Sequence, residues 1–468
     1  MININLNSKL HGLIEQGKAA AIRTGKPILV STVSAVERMD LPAFFAAHGD
    51  KYAGNRFFWS EPGGSLSFVG LGHVLTIEAR DKQQRYAQIE REWNDVLKNA
   101  VGDAANPEHT GPLLFGGFSF DPVKAQTALW SEFSHSSFVV PQYMLTQNKE
   151  QAWLTTNMLV SPDVKVEEHF EMWEWPQCPP VQDCEQTKHS SFGQVKKEEF
   201  APSEWMDTVE AATAAIRKGE LEKVVLARQI GLKADASFSM QAILSKLLAD
   251  QSNTYVFAID RGEGCLVGAT PERLIRRAGN ELLTLSLAGS IARGGSTAED
   301  DELGSFLMQD VKNLHEHALA VNMIRGAMQE LCEHVEAPDK PILRKLKDIQ
   351  HLATPISGYA REGVSLLQAV ELLHPTPALG GMPREAAIEA IRELEDMDRG
   401  WYAAPIGWLN RQMDGEFVAA IRSALVNGNE AVLFAGCGIV GDSDPISEFH
   451  ETALKFRPML AALQAQVE

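Results

Sequence analysis

Apolar and polar positions along the chain fall into two periods. Alternating or unbroken apolar runs at 27–33 (PILVSTV), 111–120 (GPLLFGGFSF) and 151–159 (QAWLTTNML) predict strands, whereas 86–101 carries the 3.6-residue period of a helix. Residues 176–200 are Pro-rich and then polar, and read as a connector between two portions of one fold, 1–195 and 196–468. Beyond residue 200 the pattern sharpens. A helix is expected to start with Ser203 as N-cap and to end near Gly219. Strand KVVLARQIGL follows from Lys223, then helix FSMQAILSKLLAD, then strands TYVFAID, GCLVGAT, RLIRRAG and LLTLSLAG. Apolar residues at 314, 318, 321, 324, 328 and 331 predict one long helix over roughly 300–335. The last third adds helix PREAAIEAIRELE and strands APIGWLN, EFVAAIRSALV and AVLFAGCGIV. A closing helix is capped by Asp444, with Pro445 in its first turn. Short strands with tight turns, interrupted by helices, predict an α+β fold of antiparallel β-sheets flanked by helices.

Charge narrows the partners. A net charge of −19 argues against nucleic acid, which needs clustered Lys and Arg. An acidic metabolite remains possible where a metal ion or a few local cations reverse the field in a pocket. The five cysteines, at 178, 184, 265, 332 and 437, form no disulfide or zinc framework, which predicts a reducing, cytoplasmic setting. No signal-peptide pattern opens the chain and no apolar stretch approaches the 18 residues of a membrane span.

Several residues carry candidate chemistry. Lys223 opens an apolar strand: it either snorkels to water or, desolvated among Val and Leu, acts as a general base. Glu272 follows Thr-Pro at a strand-to-strand turn, where it either pairs with Arg273 or Arg276 or supplies an acid. Arg422, in an apolar strand, needs an anion: a structural glutamate or a substrate carboxylate. Glu448, Glu451 and Lys455 share a face of the last helix, a spacing that also suits a solvated salt-bridge face. The triplet His315-Glu316-His317 invites a zinc reading, but helix neighbours two apart point about 200° apart. Gly436-Cys-Gly-Ile-Val-Gly441 matches a dinucleotide fingerprint, yet DSDP rather than a helix follows it directly, so we expect no nicotinamide cofactor there.

Taken in order, KVVLAR, GATPERL, SLAGS, HEHALAV, HPTPALGG, RGWYAAPIGW, VAAIRSA and FAGCGIVGDSDPISEFHETALK resemble the chorismate-utilising enzymes, the anthranilate synthase component I-like family. The resemblance covers roughly 200–460, with weaker echoes in FFWSEPGG and FGGFSFDP. It implies that Lys223 is the base activating water and Glu272 the acid protonating the departing C4 hydroxyl of chorismate. It implies that Glu316 and Glu451 hold one Mg²⁺, leaving Glu448 without a role. It places Gly289, Ser290, His351, Ala378, Tyr402, Arg422, Gly436, Gly438 and Lys455 around the substrate. Two departures are diagnostic. Ala288 stands where aminodeoxychorismate-forming relatives carry a nucleophilic lysine. Ala378 stands where anthranilate and salicylate synthases usually carry threonine. Within the family the chain therefore resembles the isochorismate synthases, isomerases that use water, and is expected to act as a monomer without an amidotransferase partner. The menaquinone pathway is the expectation; catechol siderophore synthesis, an ammonia-using aminase subunit and a nucleotide-binding regulator are the alternatives.

Overall fold

The computed structural model describes residues 4–103, 106–165, 176 and 192–464. Cys178, Cys184 and most of the expected connector lie outside the described residues, while Cys265, Cys332 and Cys437 are buried free thiols. The anticipated strands appear as Ile28–Val36, Leu114–Phe118 and Ala152–Val160, and the early helix as Arg85–Lys98.

Strand pairing resolves into two antiparallel sheets. One runs from Ile28–Val36 through Ala152–Val160, Ser136–Asn148, Leu66–Glu78, Asn55–Ser60, Tyr255–Arg261, Gly264–Thr270, Ser423–Asn427 and Glu430–Ile439 to Lys223–Ala234. The other leaves the same Ser136–Asn148 strand through Leu114–Phe118, Pro405–Leu409, Gly415–Ala419, Arg273–Ala278 and Glu281–Ala292 to Ile349–Ala360. Ser136–Asn148 can serve both because Phe115 to Phe118 pair with its first residues and Ala152 to Thr156 with its last. Pro141, which cannot donate to a ladder, falls between those two stretches and opposite a bulge at His73/Leu75.

Side-chain alternation sorts the core. Phe57, Trp59, Phe68, Phe115, Phe257, Trp408 and Phe434 fill the space between the sheets. Phe58, Val69, Val256 and Leu433 point to the other face of the first sheet, under helices Leu41–Ala47, Met240–Asp250 and Pro445–Ala462. Leu114, Phe417 and Ile275 point outward from the second sheet, under Arg85–Lys98, Val311–Leu331 and Leu366–Leu373.

Three expectations are corrected. Ala201, not Ser203, is the N-cap of helix Pro202–Arg217, because Pro202 with its preset φ takes the first helical position. The single helix over 300–335 is two, Thr297–Leu307 and Val311–Leu331, since Asp310 caps a new helix by accepting from the Asn313 N–H at 2.8 Å. Cys332–Glu336 then leaves as a strand. EFVAAIRSALV is likewise broken, into Gly415–Ala419 and Ser423–Asn427, with Arg422 at φ +53° between them. Asp444 does cap the last helix, accepting from the Ser447 N–H.

Candidate active site

The two breaks that matter are crossings from one sheet to the other. Gly264–Thr270 lies in the first sheet and Arg273–Ala278 in the second, so Pro271 and Glu272 span the gap. The chain returns at Ile421 and Arg422. The crossings are tied together by Ala419 N–H to Glu272 O (3.0 Å) and Ala269 N–H to Arg422 O (3.1 Å). Between them the apolar core gives way to a cavity of about 120 Å³. Every residue expected at the site lines it: Lys223, Glu272, Gly289, Ser290, Glu316, His351, Ala378, Tyr402, Arg422, Gly436, Gly438, Glu451 and Lys455. Two larger surface hollows, about 530 and 780 Å³, contain none of them.

Glu272 is buried, and burial pushes its carboxyl up to about 7 against the opposing pull of Thr376, Arg422, Lys455 and Lys223. Its side chain accepts from Thr376 Oγ1 at 3.3 Å. Neither arginine of its turn neutralises it: Arg273 turns to Glu416 (2.7 Å) and Arg276 to Glu61 (3.9 Å). The brace between two strands is therefore made by Arg273 and leaves Glu272 facing the cavity.

Lys223 is buried at the start of its strand, with Nζ 2.5 Å from Glu316 Oε1. The expected apolar surroundings are present, but Glu316, on the first turns of helix Val311–Leu331, was not anticipated as its partner. Gly438 makes room for the lysine. A Cβ there would come within 2.6 Å of Lys223 Cε, so the glycine serves an antiparallel strand pair rather than a pyrophosphate.

The second lysine repeats the theme. Lys455 Nζ reaches Glu451 Oε1 at 2.7 Å and the Gly436 carbonyl at 2.8 Å, and it holds the Glu451 carboxyl below its usual range. What Gly436 offers Lys455 is thus its carbonyl. Glu448 turns aside: burial raises its carboxyl, and Ser443 donates to it at 2.7 Å.

Arg422 is half-buried and, among the described residues, its guanidinium has no hydrogen-bond or ion-pair partner, although Tyr402 and Glu451 lie within electrostatic reach. An unpaired arginine in a cavity wall is a receptor for an anion. Tyr402 stacks on Phe434, centroids 5.2 Å apart, and burial raises its phenol. Gly289, at φ +76°, is the extra residue of a bulge that turns Ser290 opposite His351. His351 is held neutral, its ring pushed down to about 3 by burial and by Arg422, Lys455 and Arg344, and its Nε2 is without a partner among the described residues.

The zinc reading of the His315 triplet fails on contacts as well as angle. His317 bonds Ala288 O (3.1 Å) and Thr354 Oγ1 (2.7 Å), and His315 is exposed. Among the described residues no three His, Cys, Asp or Glu side chains cluster as a ready metal cage. Glu316 and Glu451 nevertheless line one cavity, and each pairs with a lysine there. Two carboxylates completed by water and a substrate oxygen suit Mg²⁺.

Sequence reasoning missed Arg399, Pro271 and Leu287 in this wall, and Thr376 as the donor to Glu272. Thr376 and Arg399 lie inside motifs already singled out, but nothing local announces which distant groups they touch.

Comparison with known proteins identifies the family and the fold. A family model described as "Chorismate binding enzyme" matches residues 15–464. The chain belongs to the chorismate-binding enzyme family. It is 44% identical over 442 residues to "Isochorismate synthase MenF" of Bacillus subtilis, covering 93% of each chain. It is 34% identical over 461 residues to "Salicylate biosynthesis isochorismate synthase" of Pseudomonas aeruginosa, covering 97% of this chain and 94% of the relative. The solved structure of MenF, the menaquinone-specific isochorismate synthase of Escherichia coli, superposes with a TM-score of 0.77 at 25% identity, covering 95% of this chain and 99% of that one. Anthranilate synthase component I of Streptococcus pneumoniae shares the fold, with a TM-score of 0.65 at 20% identity over 84% of this chain and 92% of that one. Among the described residues no helix is long and apolar enough to cross a membrane.

Proposed function

We propose that the chain is an isochorismate synthase, converting chorismate to isochorismate by addition of water at C2 and loss of the C4 hydroxyl as water. The observation that carries the reading is Glu272: a buried carboxylic acid without an arginine partner, sharing a cavity with Lys223 and the unpaired Arg422. Lys223 takes the proton from the attacking water, and Glu272 delivers one to the departing hydroxyl. Arg422, with Tyr402 and Lys455 beside it, receives a substrate carboxylate in the fork geometry that arginine offers. Gly289, Ser290, His351, Ala378, Gly436 and Gly438 complete the substrate's surroundings. Glu316 and Glu451 would hold one Mg²⁺, which when bound supplies a hard positive contact for the substrate's ring carboxylate.

Ala288 leaves no amine nucleophile at its position, which disfavours the aminating reading. The likeness to the two MenF proteins favours a role in menaquinone synthesis over one in siderophore synthesis. Monomeric action in the cytoplasm, without an amidotransferase, completes the proposal. Incubation with chorismate and Mg²⁺, followed by chromatography, tests it: isochorismate should appear, should vanish with EDTA and should return with added Mg²⁺. Ammonium salts should divert little of it. An aminated major product, or full activity in chelator, would overturn the water-using or the Mg²⁺ part respectively.

A further inference from the structure

One cation of the cavity wall has no part in this chemistry. Arg399 is buried, and its partner Glu395 lies one turn earlier, just past helix Arg384–Leu394. Nε donates to Glu395 Oε2 at 2.8 Å and Nη2 to Oε1 at 2.5 Å, so the charge is cancelled on the spot and Arg399 does not compete with Arg422 for an anion.

The remaining bonds of the pair are more informative. Nη2 also donates to Val225 O at 2.7 Å and Nη1 to Leu379 O at 3.0 Å, while Glu395 Oε1 accepts from the Ala227 N–H at 2.7 Å. Val225 and Ala227 belong to the strand that carries Lys223. Along that strand edge, Gly381–Met382 pairs only with Val224 and Lys223, and Val195–Glu199 begins only at Ile230. In the gap, Val225 O, Ala227 N–H and Ala227 O would face no neighbouring strand. Arg399, Glu395 and Trp205 Nε1 (3.2 Å) satisfy them in turn. The guanidinium lies 4.3 Å from the Phe120 ring centroid, and the Tyr402 N–H donates to Arg399 O at 2.8 Å.

We propose that Arg399 and Glu395 are a positioning pair for the reaction, a side-chain bridge that stands in for a missing strand segment. It fixes the strand of Lys223 against the Ala378–Leu379 wall and the Tyr402 turn. The proposal rests on the assignment of Lys223 as base. Only a planar fork reaches two carbonyls and a carboxylate in set directions at once, so lysine cannot replace it. The pair touches no reacting atom, and its effect is on distance: small displacements of a base from its target water cost far more in turnover than in binding.

Arg399→Lys keeps the charge and removes the fork. In a chorismate assay this variant, folded and melting cooperatively, should lose about tenfold to 100-fold in kcat, with KM within about threefold of the parent. Glu395→Gln should lose kcat in the same sense while keeping its size. Assay of the unaltered protein separates the two layers of the argument, since a parent that does not convert chorismate sinks the proposed function itself. With an active parent, a folded Arg399→Lys that retains kcat within about threefold overturns the positioning role, as does a rise in KM alone. If Arg399→Lys does not fold, Glu395→Gln decides by the same measures. Failure of both to fold would make the pair a stability element and nothing more.

Discussion

At the residue scale, Glu272 shows how a turn carboxylate becomes an acid. Its raised carboxyl has one dominant cause, burial, and the nearby cations only moderate it. A group poised at about 7 is protonated below that pH and ionised above it. The alkaline limb of kcat/KM should therefore lie near or above neutrality, and Glu272→Gln should abolish it while lowering turnover by about 10²-fold or more. Melting temperature on the same preparation should not fall, because Arg273, bound to Glu416, carries the structural load at that turn. A stable variant with near-parental turnover would move the acid elsewhere. Lys223, Glu272 and Arg422 were legible as residues, because each is a charged group in apolar or turn surroundings. Their partners were not: that Glu316 would hold Lys223, and that no described residue would hold Arg422, depends on elements nearly 100 and 150 residues away.

At the element scale, the breaks carry the function. The expected helix over 300–335 became two because Asp310 caps the second, and that second helix begins close enough to the cavity for Glu316 to enter it. Ala318, counted in the expected stripe, is exposed, whereas Val321, Ile324, Met328 and Leu331 are buried as expected. A different element junction should be visible in solution. Glu61, just after strand Asn55–Ser60, is buried against Glu416 of strand Gly415–Ala419, and burial and then Glu416 raise its carboxyl from 4.5 to about 7. Such a group adds stability that is whole below pH 4.5 and is lost as pH rises to about 7, with no further change above. The effect is bounded at roughly 3 kcal/mol. Glu61→Gln should make the change of melting temperature between pH 4.5 and 7 more positive than in the parent. Glu272 titrates in the same direction, while His73, His351 and His374, each pushed down to about 3 by burial, titrate in the opposite one. An unchanged slope would mean that Glu61 does not titrate in this window.

At the scale of the whole molecule, each sheet joins a block of strands from one portion of the chain to a block from the other. Asn55–Ser60 pairs with Tyr255–Arg261, and Leu114–Phe118 pairs with Pro405–Leu409. Neither portion can release its strands without exposing the shared aromatic core, so calorimetry should show one cooperative transition; two resolved transitions would mean that 1–195 and 196–468 unfold separately. The sequence by itself determined the local structure and the chemical inventory. Strand and helix periods, the Asp444 cap and the ordered motifs are encoded within a few residues, where propensity and burial act directly. Tertiary structure alone decided what met what. It bent EFVAAIRSALV so that Arg422 faces the cavity, sent Arg273 to Glu416 and so freed Glu272, and filled a gap in a strand edge with Arg399 and Glu395. Those outcomes follow from register between strands far apart in the chain, and no local pattern of apolar and polar residues contains that register.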